Sequence, residues 1–125
     1  MTSERFEQLK AELHASATGI ADGKRPGYTQ GNTDVLHNFK AAAKMAGITP
    51  LQAWSVYFWK HIAATLSYAK DPTLPQAEPM LGRISDARNY LDLFYGLVVE
   101  QEELAKSSAL ANTAWTSQGP MPTTK

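Results

Sequence analysis

Apolar positions along the chain recur at spacings of three and four, and no stretch alternates in the way a strand pair requires. The first such pattern runs from Ser3 to about Ile20, with Phe6, Leu9, Leu13, Ala17 and Ile20 on one helical face. Glu4 and Glu7 stand in its first turns, where the helix dipole favours acids. The pattern predicts a stop near Asp22-Gly23 and a breaker-rich loop over 21–32, which holds three glycines and a proline. A second helix is expected from Asn32 or Thr33, with Val35, Leu36, Phe39, Ala42, Ala43 and Ala46 inward and Gly47 as its C-cap. The third has the clearest start: Thr49 as N-cap, Pro50 at the first helical position, and Gln52 completing a T-x-x-Q capping box. It should end at about Lys70, before Asp71-Pro72. Its apolar residues lie almost all round, which predicts a central position in a fold or an oligomer. After a Pro-rich connection, a fourth helix is expected from Met80 to about Lys106, faced by Ile84, Ala87, Leu91, Phe94 and Val98. Beyond it the composition turns to Ser, Thr, Ala, Pro and Gly. The reading is therefore an all-α, four-helix bundle-like domain over 1–106 with a flexible, disordered C-terminal tail over 107–125.

Composition narrows the function more than the fold. The chain has 125 residues, a single-domain length, with 12 Lys+Arg against 12 Asp+Glu. That balance argues against a coat for long nucleic acid, which needs many phosphate-neutralising cations. With no cysteine there is no disulfide framework, thiolate zinc site or cysteine nucleophile. The charged N-terminus does not read as a signal peptide, and no run of about 18 apolar residues exists to cross a membrane. A cytoplasmic domain is the expectation.

Three places break the helical pattern and carry the candidate chemistry. On the fourth helix, a 100° wheel puts Arg83 and Asp86 on the apolar side with Tyr90, and Asn89 at its edge, while Arg88, Asp92 and Glu100 fall on solvated sides. A buried guanidinium and carboxylate need a partner or a ligand. They form either an i,i+3 structural pair or a pocket, with Arg83 on an anion and Asp86 or Asn89 on hydrogen-bond donors. On the third helix, Trp54, Tyr57, His61, Ala64 and Tyr68 share one side, with Lys60 beside them. Core packing and a ligand cradle use the same spacing, although Tyr and His carry polar tips that want partners. The third place is the 23–32 loop, where Lys24, Arg25 and glycines lead toward a helix N-terminus that would suit phosphate. The competing reading is a flexible connector with two exposed cations. Tyr28, an aromatic in a polar loop, either packs down or stacks on a ligand. No histidine pair has zinc-ligand spacing, and the third helix carries no carboxylate for magnesium. No metal or cofactor is expected, and catalysis is poorly supported.

The runs Tyr28-Thr29-Gln30-Gly31, Asn38-Phe39, Trp54, Trp59-Lys60-His61, Glu78-Pro79 and Gly82-Arg83-Ile84-Ser85-Asp86-Ala87-Arg88-Asn89-Tyr90-Leu91 resemble small helical proteins of bacteriophages and prophages. Their layout over residues 25–98 is similar to the phage nucleotide-modification-associated domains, and more distantly to all-α nucleoside-triphosphate pyrophosphatases. The acidic helix of the latter would fall at Asp86 and Asn89, but their E-x-x-E partner is missing from the third helix. The resemblance implies nucleotide recognition without hydrolysis, of the kind phages use to sequester a host's nucleotide immune signals, in the host cytoplasm if the chain is phage-encoded. Ligand contacts are then expected from Lys24, Arg25, Tyr28, Tyr57, Lys60, His61, Arg83, Asp86, Asn89 and Tyr90. The excess of Trp and Tyr suggests a homo-oligomer with pockets at contacts of the third and fourth helices. A nucleotide-processing enzyme and a helical protein–protein adaptor are the alternatives.

Overall fold

The computed structural model describes residues 1–29 and 33–117; the side chains of Pro26, Tyr28 and residues 113–117 fall outside the description. Among the described residues four helices follow in chain order, α1 (Ser3–Thr29), α2 (His37–Ala46), α3 (Pro50–Lys70) and α4 (Met80–Ser117), and there is no strand. The all-α, bundle-like class expected from periodicity is the class observed.

Local chemistry sets the clearest boundaries. At the start of α3 the Thr49 hydroxyl accepts from the Gln52 backbone N–H at 3.1 Å, and the Gln52 side chain accepts from the Thr49 N–H at 2.9 Å. Both arms of the capping box are thus made, with Pro50 in the first turn. Gly47 closes α2 at φ 71°, where a side chain would be strained, and the Ile48 N–H returns to the Ala43 carbonyl.

Three expected boundaries move. The segment read as a loop is helical to Thr29, so α1 passes through Gly23 and Pro26. Pro26 has no N–H to return to the preceding turn, but tertiary contacts outweigh that loss. Ile20 and Ala21 are half-buried, Thr29 is buried, and the Thr29 hydroxyl donates to the Arg25 carbonyl at 3.0 Å. Second, α2 begins at His37. The preceding residues form a turn in which an Asp34 carboxylate oxygen accepts from the Leu36 N–H at 2.9 Å. Third, α4 continues from the expected end near Lys106 to Ser117, because Ala109, Leu110 and Ala111 are helix formers and Gly119-Pro120 is the first breaker pair. Residues 118–125 of the expected tail lie outside the described residues.

The core lies where α2, α3 and α4 meet. Leu36, Phe39, Trp54, Tyr90 and Leu97 are buried, with Leu51, Tyr57, Phe58, Leu93 and Phe94 packed against them. Trp54 stacks on Phe58 with centroids 4.6 Å apart and lies 4.4 Å from Phe94. Its indole N–H donates to the Tyr90 carbonyl at 2.7 Å, tying α3 to α4. Against the other side of α4 lies α1, through small residues. Ser85 is fully buried and donates to the Leu81 carbonyl at 2.6 Å. Its one proton is thereby used, so Ser16 donates in the 2.8 Å contact between the two hydroxyls.

Candidate functional site: the cleft between α1, α2 and α4

The far end of α1, the turn before α2 and the middle of α4 enclose a cleft of about 130 Å³. Its wall is apolar where Ile20, Val35, Phe39, Tyr90 and Leu93 contribute, and polar where Lys24, Arg25, Thr29, Asn38, Asp86, Asn89 and Asp92 do. A 150 Å³ cavity holds benzene, and drug-sized pockets run to about 300–1,000 Å³. The cleft is therefore the size for one ring or one anionic group, with the rest of a larger ligand outside it.

Helical spacing explains the arrangement. Asp86, Asn89, Tyr90 and Leu93 stand at three- and four-residue intervals on α4 and share a face. Lys24, one turn beyond Ile20 on α1, reaches that face. The Lys24 ammonium lies 3.2 Å and 3.4 Å from the two Asp86 carboxylate oxygens. The partners differ in burial: the Asp86 side chain is 10% exposed and that of Lys24 is 47% exposed. The carboxylate is fixed in the wall, and the ammonium bridges from the solvent side. Asn89 donates its amide to the Ala17 carbonyl at 2.9 Å, which holds α1 on α4 beside the cleft. Arg25 lies at the rim, 3.8 Å from Asp22.

Of the residues nominated from the sequence, Lys24, Arg25, Asp86, Asn89 and Tyr90 come together here. The phosphate-loop argument for the two cations does not hold, since both sit inside α1, where backbone N–H groups are taken up by the helix. The other nominated side chains go elsewhere. Tyr57 packs edge-on against Phe39 at 5.8 Å, within the core. Lys60 is exposed on α3. The proposed Arg83–Asp86 pair is not formed: Asp86 pairs with Lys24, while the Arg83 Nε lies 3.5 Å from a Glu78 carboxylate oxygen without hydrogen-bond geometry. The side chain of Tyr28 lies outside the described residues.

His61 is buried behind Tyr90, with ring centroids 4.9 Å apart. Neither ring nitrogen has a hydrogen-bond partner among the described residues. Burial holds its pKa below the ordinary histidine value, with Lys60 and Arg83 pushing the same way and Asp86 and Glu78 opposing.

Sequence reasoning missed Thr29, Asn38 and Asp92 in the cleft, and the ion pairs outside it. Asp92, read as solvated, lines the rim. Arg88 lies 3.1 Å from the His14 imidazole. Glu100, also read as solvated, lies 2.7 Å from Lys40, which reaches Asp34 at 2.6 Å. Those hydrogen bonds hold Asp34 below the usual carboxylate range and raise Lys40 above its ordinary value. Only the Asp34-to-Lys40 spacing across a helix start could have signalled this in the sequence, since Glu100 arrives through the tertiary fold. Among the described residues, no three or more His, Asp or Glu side chains are grouped to hold a metal ion.

No protein-family model matches the chain, and neither the curated proteins nor the solved structures contain a significant match to it.

Proposed function

We propose that the chain binds a phosphate-bearing nucleotide in the α1–α2–α4 cleft and holds it intact. The observation that carries this reading is the Lys24–Asp86 pair set in a wall that includes Phe39 and Tyr90. An incoming anion competes for the Lys24 ammonium. Asp86 then needs a new donor, because a buried carboxylate stripped of its cation is costly. A nucleotide supplies both halves of the exchange: phosphate oxygens for Lys24 and Arg25, and a base N–H or ribose hydroxyl for Asp86. The ring-sized cleft fits the base against Tyr90 and Phe39, and leaves the phosphates at the α1 rim. The resemblance to phage nucleotide-associated domains points the same way, and makes sequestration of a host nucleotide signal the role that fits.

Native mass spectrometry of freshly purified protein, followed by titration with cyclic dinucleotides, ADP-ribose and nucleoside monophosphates, tests the proposal. Binding of at least one, release of unchanged ligand after heat denaturation, and a loss of about tenfold or more in Lys24→Ala are the expected results. Failure to bind any of these compounds overturns the reading. Product formation with magnesium that stops in Asp86→Asn replaces it with the enzyme alternative.

A further inference from the structure

Large apolar side chains stand exposed on two helices that share a seam. On α3, Trp59 and Leu66 are 63% and 59% exposed; on α4, Ile84, Leu91 and Tyr95 are 41%, 52% and 71% exposed. Helical spacing puts the two sets on one face. Tyr57 and Leu93 mark the sides of α3 and α4 that turn toward α2, and Trp54 with Phe94 marks their shared seam. The five exposed residues fall on the opposite side of that seam from α2.

We propose that this face is a homodimer interface, and that its occupant is the same face of a second copy of the chain. Three observations select a second copy. First, at about 150–250 Å² per fully exposed large apolar side chain, the five contribute roughly 500 Å². Half-buried Ile62, Ala87 and Val98 beside them bring the face toward the ~800 Å² per partner of a stable interface. Second, both helices of one antiparallel two-helix layer share the face, so two identical layers stacked about a twofold axis close a four-helix bundle. Third, the net charge is zero, so no long-range repulsion opposes self-association. This inference stands apart from the nucleotide reading: Asp86 and Leu93 point some 160° around α4 from Ile84 and Leu91, so the cleft remains open in the dimer.

Sedimentation equilibrium of the full chain tests it at about 100 μM, where a complex of micromolar Kd is mostly formed. The wild type is expected at twice the 13.7 kDa chain mass, and Trp59→Glu/Leu91→Glu at the chain mass with unchanged helical circular dichroism. A wild type at chain mass, an assembly larger than two, or a dimer that survives the double substitution overturns the proposal. Should the double variant unfold, Tyr95→Lys at the most exposed of the five positions answers the same question. Nucleotide titration of the monomeric variant separates the two readings, since the cleft is expected to bind equally well without the dimer.

Discussion

Replacing His61 with Phe should stabilise the protein, and the gain should grow as the pH falls. The imidazole is 3% exposed and packs on Tyr90, and neither nitrogen has a partner among the described residues. Each of the two buried ring nitrogens left unsatisfied costs about 1–3 kcal/mol. A phenyl ring removes that cost but adds volume to a packed site, which itself costs about 1–3 kcal/mol when relaxation is poor. The expected net gain at pH 7.5 is about 1 kcal/mol, or about 3–6 °C in Tm for a chain of this length. Acid adds a second contribution with a definite sign. Burial holds the folded-state pKa of His61 below its ordinary 6.5. Above that value His61 is neutral in both states and contributes no pH dependence. As the pH falls through 6.5 the unfolded chain takes up a proton that the native state refuses, so wild-type stability drops by up to about 1.4 kcal/mol per pH unit. The drop levels off once the pH passes below the folded pKa. The Phe variant lacks this drop. Urea unfolding followed by circular dichroism from about pH 5 to 7.5 measures it. A destabilised variant whose pH profile runs parallel to the wild type would refute the reasoning, because it would mean that the imidazole is hydrogen-bonded and titrates normally.

Trp54→Phe should cost about 1–3 kcal/mol in urea unfolding, since it removes the 2.7 Å bond to the Tyr90 carbonyl and part of the stack with Phe58 and Phe94. Phe in place of Trp leaves the helical circular dichroism unchanged if the bond acts as a tie rather than as a folding requirement. Lys40→Met should cost less, no more than about 1 kcal/mol, because the pairs with Asp34 and Glu100 are more than a third exposed and screened by solvent. Its effect should shrink in high salt. It should also fade in acid: the Asp34 pKa is depressed from 3.8, so its contribution is present above that value and lost as the pH falls through the folded pKa.

Local signals were legible where the chemistry is local. The ends of α3 follow from Thr49, Pro50, Gln52 and the Asp71-Pro72 stop, all neighbours in sequence. Gly47 marked the end of α2 for the same reason, needing only its own φ. The 21–29 segment was illegible because its helix depends on contacts from outside it. Lys24 is held by Asp86, 62 residues away, and Thr29 is buried by the packing of α1 near α2 and α4. Propensity weighs Gly23, Pro26 and Gly27 against a helix and has no knowledge of either contact. The wheel of α4 was right that Asp86 is buried, yet it could not say with what. It offered Arg83, the nearest cation in sequence, where the fold brings Lys24 from another helix. The same limit hid Glu100, whose partner lies on α2. Half of the nominated site residues gather in one cleft because Asp86, Asn89 and Tyr90 share one helical face. The stripe on α3 is divided instead, with Tyr57 in the core and His61 behind Tyr90.

The buried polar groups explain why this part of the molecule invites a functional reading. Thr29, His61, Ser85 and Asp86 are the buried polar residues described, and all are set on or against the stretch of α4 around Ser85–Tyr90 or the cleft beside it. Three of them are satisfied: Thr29 by Arg25, Ser85 by Leu81 and Ser16, and Asp86 by Lys24. A chain selected for stability alone would put aliphatic side chains at such positions, since well-packed apolar replacements of buried ion pairs are often neutral or stabilising. The apolar core of this chain is small, so each polar insertion weighs heavily on a stability of about 5–15 kcal/mol. Departures from the apolar pattern that a small domain tolerates at such cost are expected where a ligand is recognised. The Lys24–Asp86 pair is the one of these that opens to solvent on its cationic side, and it is therefore where the proposed nucleotide would exchange partners with the protein.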